Sequence, residues 1–167
     1  MAGEKLTPGD VKKIQDEINH RKLVVRKEAL EAVKEARAHG DLSENFEYHA
    51  AKKDKNKNES RIRYLERVLK NAQVIEDHSK SDEVGLDDEV TVYFEDDDES
   101  ETYKIVTSIR GNSLAGNISI ESPMGKALMG HKTGERVEIE VNPGTSYFVQ
   151  IQAIKKTHNE DEEIRSF

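Results

Sequence analysis

Gly40-Asp41-Leu42-Ser43-Glu44-Asn45-Phe46-Glu47-Tyr48 separates two long helical patterns, and this interruption decides the fold. On its N-terminal side Val11, Ile14, Ile18, Val25, Ala29, Ala32 and Ala36 recur at the spacings that line one face of a coiled-coil helix. Thr7-Pro8-Gly9-Asp10 opens that helix, with Thr7 as N-cap, Pro8 as first helical residue and Asp10 as third, a helix-start signal. Gly40 breaks it. A second pattern starts near Ser43 and carries Tyr48, Ala51, a polar stretch, and then Ile62, Leu65, Leu69 and Ala72. The connection is too short for anything but an antiparallel return. Folded back, Ile18 is expected near Leu65, Ile14 near Leu69 and Ala36 near Tyr48. Each helix holds roughly 30 residues, so at ~1.5 Å per residue the hairpin is ~45 Å long. Its seam thins to alanine and polar residues towards the turn, which predicts a slender, projecting arm with a solvated tip.

Beyond His78-Ser79-Lys80-Ser81-Asp82 the periodicity changes from helix to strand. Residues 89–94 and 102–106 read as a β-hairpin around the acidic run 95–99, and 117–120 as a further strand. Ser122-Pro123 starts a short helix through about Leu128, and 135–141 and 147–154 read as strands around the turn Asn142-Pro143-Gly144. The expected fold is therefore α+β: an antiparallel coiled-coil arm over residues 1–77 with its tip at 40–48, a linker at 78–83, a small antiparallel sheet with one short helix over 84–158, and a charged, frayed tail at 159–167.

Composition limits the function. Charged residues make up 36% of the 167-residue chain and hydrophobic residues 34%, a thin supply for one compact globule. There is no cysteine, which excludes a disulfide frame or a thiolate metal site and makes a cytoplasmic location the simplest reading. No apolar run approaches the roughly 20 residues of a membrane span, and Met1 to Lys5 lacks the apolar stretch of a signal peptide. The net charge of −8 conceals an asymmetry: residues 1–75 hold 17 Lys and Arg against 13 Asp and Glu, whereas residues 76–167 hold 9 against 21. The front half can lie near a polyanion; the rear half would be repelled by one.

Two readings of the turn stay open on spacing alone. Asp41 as N-cap with Glu44 three residues on makes a capping-box-like pair, favoured at a helix N-terminus by ~0.5–1 kcal/mol. Alternatively, two hard oxygen ligands at the end of an arm can be carried to a Mg²⁺ held elsewhere. The cations that follow (Lys52, Lys53, Lys55, Lys57) and those on the first helix (Arg26, Lys27, Lys34, Arg37) are either a solvated face or, for a subset, phosphate contacts. The acidic runs 95–99 and 160–163 read as solvated turn and tail.

Gly40 to Asn45 followed by Glu47-Tyr48-His49-Ala50-Ala51 resembles the tip signature of the bacterial Gre family of transcript cleavage factors, in its GreA-like branch, where Leu42 fits. The stretch from Ile118 to Gly130, containing Ser122-Pro123-Met124-Gly125-Lys126-Ala127-Leu128, resembles the family's second motif. Phe46 departs from the pattern, which has a small residue there; it is read as packing against Gly40 or a polymerase loop. The resemblance implies a factor that is not a stand-alone enzyme. Its arm enters the secondary channel of bacterial RNA polymerase, where Asp41 and Glu44 share the polymerase's weakly held Mg²⁺ and stimulate cleavage of backtracked RNA at its 3′ end. It further implies tip contacts by Leu42, Ser43 and Asn45, RNA contacts by Arg37, Lys52 and Lys53, and docking by an FKBP-like rear domain through Ser122, Pro123 and Met124. No stably bound cofactor, no membrane partner and a monomer are expected. The rivals are a Gre-fold inhibitor of the same channel and, from another class, an FKBP-like isomerase or chaperone with a coiled-coil handle.

Overall fold

The computed structural model describes residues 3–40, 45–157 and 159–166. Its elements are β1 (Lys5–Leu6), α1 (Pro8–His20), a π-helical turn (Arg21–Val25), α2 (Arg26–Arg37), α3 (Phe46–Asn71), β2 (Gln73–Val74), β3 (Glu89–Phe94), β4 (Glu99–Val106), β5 (Asn117–Ser119), α4 (Pro123–Leu128), β6 (Arg136–Asn142) and β7 (Thr145–Lys155). Two compact units emerge, one of Val11–Ala72 and the other of Glu4–Asp10 with Gln73–Ser166. No helix among the described residues is long and apolar enough to cross a membrane.

The first unit is a helical hairpin in which α2 packs along α3. Ile14, Ile18, Ile62, Leu65 and Ala36 are buried on its seam, as the apolar spacing predicts. Ala32 is not: it is exposed, and Val33 is half-buried in its place. About two turns earlier the helix departs from α geometry. At Arg21–Val25 the helix widens to a π-turn, with the Arg26 N–H donating to the Arg21 carbonyl. Such a turn inserts an extra residue and rotates the following face. Asn58, 4% exposed, sits opposite and donates from Nδ2 to the same Arg21 carbonyl at 3.3 Å, while Arg21 NH1 donates to Asn58 Oδ1 at 3.0 Å.

The polar stretch of α3 therefore supplies part of the seam. Arg61 and Arg21 both donate to Glu17 Oε2, at 2.9 and 2.8 Å. Burial raises the Glu17 carboxyl, but hydrogen bonds and charge from Arg61 and Arg21 outweigh it and hold the group below its ordinary value. Arg26 grips Glu59 with two parallel bonds of 2.7 and 2.8 Å.

In the second unit the sheet order is β5-β4-β3-β7-β6. All pairings are antiparallel except β4 with β5, which is parallel, so the expectation of a purely antiparallel sheet is corrected. The chain from β4 to β5 runs through two single 3-10 turns, Ser108–Arg110 and Ser113–Ala115, which bring it back beside Lys104, so that Asn117–Ser119 runs parallel to Lys104–Val106. Val90, Val92, Ile105, Val137, Ile139, Val149 and Ile151 alternate inward and close on Val84 and on Leu128 of α4. β1 and β2 pair in parallel through Lys5↔Gln73 and Leu6↔Val74. The stretch 78–83 belongs to this unit, where Lys156 Nζ donates to Ser79 Oγ and the Glu83 carbonyl.

A buried ion cluster lies beside this sheet. Thr7 is the N-cap expected of it, and Asp10 answers it reciprocally, each backbone N–H donating at 3.0 Å to the other's side chain. Asp10 also accepts from Thr107 Oγ1 at 2.7 Å and from Arg110 Nε at 2.5 Å. Arg110 is 1% exposed and donates further to Asp87 at 2.6 Å and Glu162 at 2.8 Å. Glu162 in turn accepts from Lys104 Nζ at 2.6 Å, and the Arg165 N–H donates to the Ile109 carbonyl at 2.8 Å. The tail is thus not the solvated run expected from its composition. Its carboxylates answer two cations, one wholly buried and one nearly so, and an uncompensated buried charge is costly.

Candidate functional site at the hairpin turn

Asp41, Leu42, Ser43 and Glu44, the centre of the expected site, lie outside the described residues. Their frame is well defined. α2 ends with the Ala38 N–H donating to the carbonyls of Lys34 and Glu35 and the His39 N–H to that of Ala36. Gly40 follows at φ +120°, a conformation open to glycine and strained for residues with a Cβ. The chain re-enters helix at Phe46, with Asn45 as N-cap: its Oδ1 accepts from the Tyr48 N–H at 3.0 Å. The second helix therefore starts at Phe46 rather than near Ser43, with Asn45 in the N-cap place that one reading of the spacing gave to Asp41. The same side chain donates from Nδ2 to the Ala36 carbonyl at 2.7 Å, fastening the end of α2 to the start of α3.

The residues around the turn are mutually paired. His39 Nδ1 lies 3.0 Å from Glu47 Oε2. The Arg37 guanidinium sits 5.7 Å from the centre of the Tyr48 ring. That arginine, with the charges of Lys52 and Lys55 behind it, holds the Tyr48 hydroxyl below its ordinary value. Lys52 and Lys53 are exposed on the first turns of α3. Phe46 is 88% exposed, and a Cβ on Gly40 would meet no described atom within 4 Å, so the expected packing of Phe46 on Gly40 does not form.

The second group of predicted residues is partly occupied by structural duties. Ser122 caps α4, accepting from the Gly125 N–H at 3.0 Å and donating to the Ser119 carbonyl at 2.6 Å. Met124 packs against the sheet core, whereas Pro123 is exposed. A Cβ on Gly125 would come within 2.0 Å of the Ser119 carbonyl, which explains glycine there. Sequence reading missed Asn58, Arg61 and Arg110. For Asn45 the signal was present, since asparagine is among the best N-caps and Tyr48 follows at the right interval. Arg110 carried no signal beyond being one more arginine.

Comparison with known proteins agrees with both motifs. The model of the transcription elongation factor N-terminal domain matches residues 4–74, and that of the GreA/GreB C-terminal domain matches residues 78–156. The transcription elongation factor GreA of Lachnoclostridium phytofermentans is 44% identical over 155 residues, covering 92% of this chain and 96% of that protein. GreA of Geobacillus kaustophilus is 42% identical over 159 residues, 93% of this chain and 100% of that one. Among solved structures, the GreA factor homolog Gfh1 of Thermus thermophilus aligns over 92% of this chain and 99% of its own, at 28% identity and a TM-score of 0.42. Two successive family domains, and 42–44% identity over nearly the full length to proteins named GreA, lead to one conclusion: this chain belongs to the GreA/GreB family of transcription elongation factors.

Proposed function

We propose that the chain is a GreA-type factor of bacterial RNA polymerase that stimulates the polymerase's own cleavage of backtracked RNA, delivering Asp41 and Glu44 through the secondary channel on the hairpin turn. Family membership supports the transcriptional role. The observation that bears on the finer reading is the Asn45 clasp: Asn45 caps α3, and its bond to the Ala36 carbonyl joins the two helix ends that flank residues 41–44.

The donor chemistry fits a shared Mg²⁺. Carboxylate oxygens are the hard ligands this ion prefers, so Asp41 and Glu44 would hold it together with groups of the polymerase and the RNA. Such an ion, when bound, stabilises the attacking and leaving oxygens of phosphodiester hydrolysis. In this reading Asp41 holds it, Glu44 supports it or orients the attacking water, and Leu42, Ser43 and Asn45 make tip contacts. Arg37 and Lys53 face the extruded RNA. The chain performs no chemistry alone. The second unit, read as FKBP-like, grips the polymerase through Pro123 and the adjoining edge of Met124, with Ser122 shaping the turn. The protein acts as a monomer in the cytoplasm.

The test is direct. A stalled bacterial elongation complex is incubated with Mg²⁺, with and without the protein, and short 3′ RNA fragments are sought. Their release only with the protein supports the reading. Loss of the slow intrinsic cleavage on addition of the protein would instead mark a channel inhibitor.

A further inference from the structure

The face of α3 opposite the hairpin seam carries an arrangement that seam packing does not use. Tyr48, Ala51, Lys55, Asn58, Ile62 and Leu65 turn inward, buried or half-buried. Phe46, Ala50, Lys53 and Lys57 recur at helical spacing on the other side, and all four are exposed. Phe46 stands at the end of this stripe nearest the turn, 88% exposed, so most of its ring area is in water. At ~1.5 Å per residue, Lys53 follows ~10 Å and Lys57 ~16 Å behind it along the axis. Neither lysine pairs with a carboxylate among the described residues. Glu47, which flanks the stripe, is engaged by His39 at 3.0 Å. Lys52 projects from a different side of the helix.

We infer that Phe46 is a base-stacking residue: its ring receives the base of an unpaired RNA 3′ nucleotide while Lys53 and Lys57 meet the phosphates behind it. The inference rests on the cleavage-factor reading and names how the RNA end is positioned. An exposed aromatic ring followed by unpaired cations is the combination that binds single-stranded nucleic acid. The ring stacks on any base face, and the cations track the backbone. An apolar protein contact fits less well, because Ala50 is the only other apolar side chain on the stripe and the rim is cationic. Aromatic anchors of protein interfaces sit instead among packed, desolvated neighbours.

The test uses full-length protein and stalled polymerase complexes assembled on synthetic RNA, whose unpaired 3′-terminal nucleotide carries either a base or an abasic ribose. The wild-type protein should cleave the base-bearing RNA about tenfold faster than the abasic one. Phe46→Ala and Phe46→Leu should both lose that tenfold on the base-bearing RNA and match wild type on the abasic RNA, whereas Phe46→Trp should keep it. Full activity of Phe46→Leu, or an equal loss by Phe46→Ala on both RNAs, would overturn stacking and assign the ring to a polymerase surface. An unaltered Phe46→Ala would show the ring to be idle. Failure of the wild-type protein to stimulate cleavage of either RNA would remove the cleavage-factor reading itself, and the stacking role with it.

Discussion

Asn45 holds Ala36 across the turn: its Nδ2 donates to the Ala36 carbonyl at 2.7 Å while its Oδ1 caps α3 at the Tyr48 N–H. One side chain thereby joins the ends of the two helices that flank residues 41–44. Replacing Asn45 by Ala removes both bonds and should destabilise the first unit by about 1–2 kcal/mol. Asn45→Asp keeps a good cap but cannot donate to the carbonyl, so it should recover only the capping share. Denaturant unfolding of the three proteins separates the two contributions, and equal stability of Asn45→Ala and wild type would contradict the clasp.

The buried polar seam makes a second prediction. Asn58 pairs with Arg21 at the π-turn, so Asn58→Ala leaves the Arg21 guanidinium without that acceptor and should cost about 1–3 kcal/mol. Replacement by Leu leaves the same Arg21 groups unpaired but fills the space that Ala leaves empty, so it should cost less. Urea midpoints for Ala, Leu and wild type provide the check; a Leu variant weaker than the Ala variant would count against this account of the seam.

These two sites also show what was legible in the sequence. Period-3.6 spacing from Ile14 to Leu65 and the Gly40 break were enough for the hairpin, and period-2 alternation in 89–94 and 147–154 was enough for the strands. The Thr7–Asp10 box was readable because its two partners are three residues apart. Asn58, Arg61 and Arg110 were not readable, because a polar residue is buried only when its partner arrives from distant sequence, and Arg110 lies 100 residues from Asp10. The tail failed for the same reason: composition says nothing about which cation Glu162 will meet. For the tip, local pattern identified the turn and left Asp41 open between cap and ligand; Asn45 as N-cap went unread, although asparagine suits that place.

Acid should weaken the ion-paired seams. Burial raises the Glu162 carboxyl, but hydrogen bonds and charge from Lys104 and Arg110 outweigh it and leave the group below its ordinary value of 4.5; Glu17 behaves alike with Arg61 and Arg21. A carboxyl whose folded value is depressed stabilises fully above its unfolded value, and that stability is lost as pH falls through the folded one. Asp87 has the opposite sign. Burial raises its carboxyl against the pull of Arg110, so its ionised form opposes folding at neutral pH and the group favours the fold as it protonates. Calorimetry of the full chain from pH 7 downward should show a falling midpoint below about pH 4.5, with Glu162→Gln giving a shallower fall. An identical pH profile for that variant would exclude Glu162 as a contributor.

Truncation after Thr157 removes the tail that supplies Glu162 and the Arg165 backbone bond. The second unit should lose about 2–4 kcal/mol, since Arg110 and Lys104 each forfeit a partner at nearly buried positions. The family domain ends at residue 156, so the shortened chain still contains it and should fold. A truncated protein as stable as the full chain would show the tail to be dispensable.

The central claim is that the turn supplies carboxylates to a reaction catalysed elsewhere, and Asp41→Asn tests it most directly because the change removes charge while keeping size. The measurement is the rate of 3′ fragment release from a stalled bacterial elongation complex at saturating protein and fixed Mg²⁺, with binding to the polymerase followed in parallel. The account predicts unchanged binding and a fall in the stimulated rate of roughly a hundredfold or more, partly recovered at high Mg²⁺. Wild-type fragment release by Asp41→Asn at equal occupancy would contradict it.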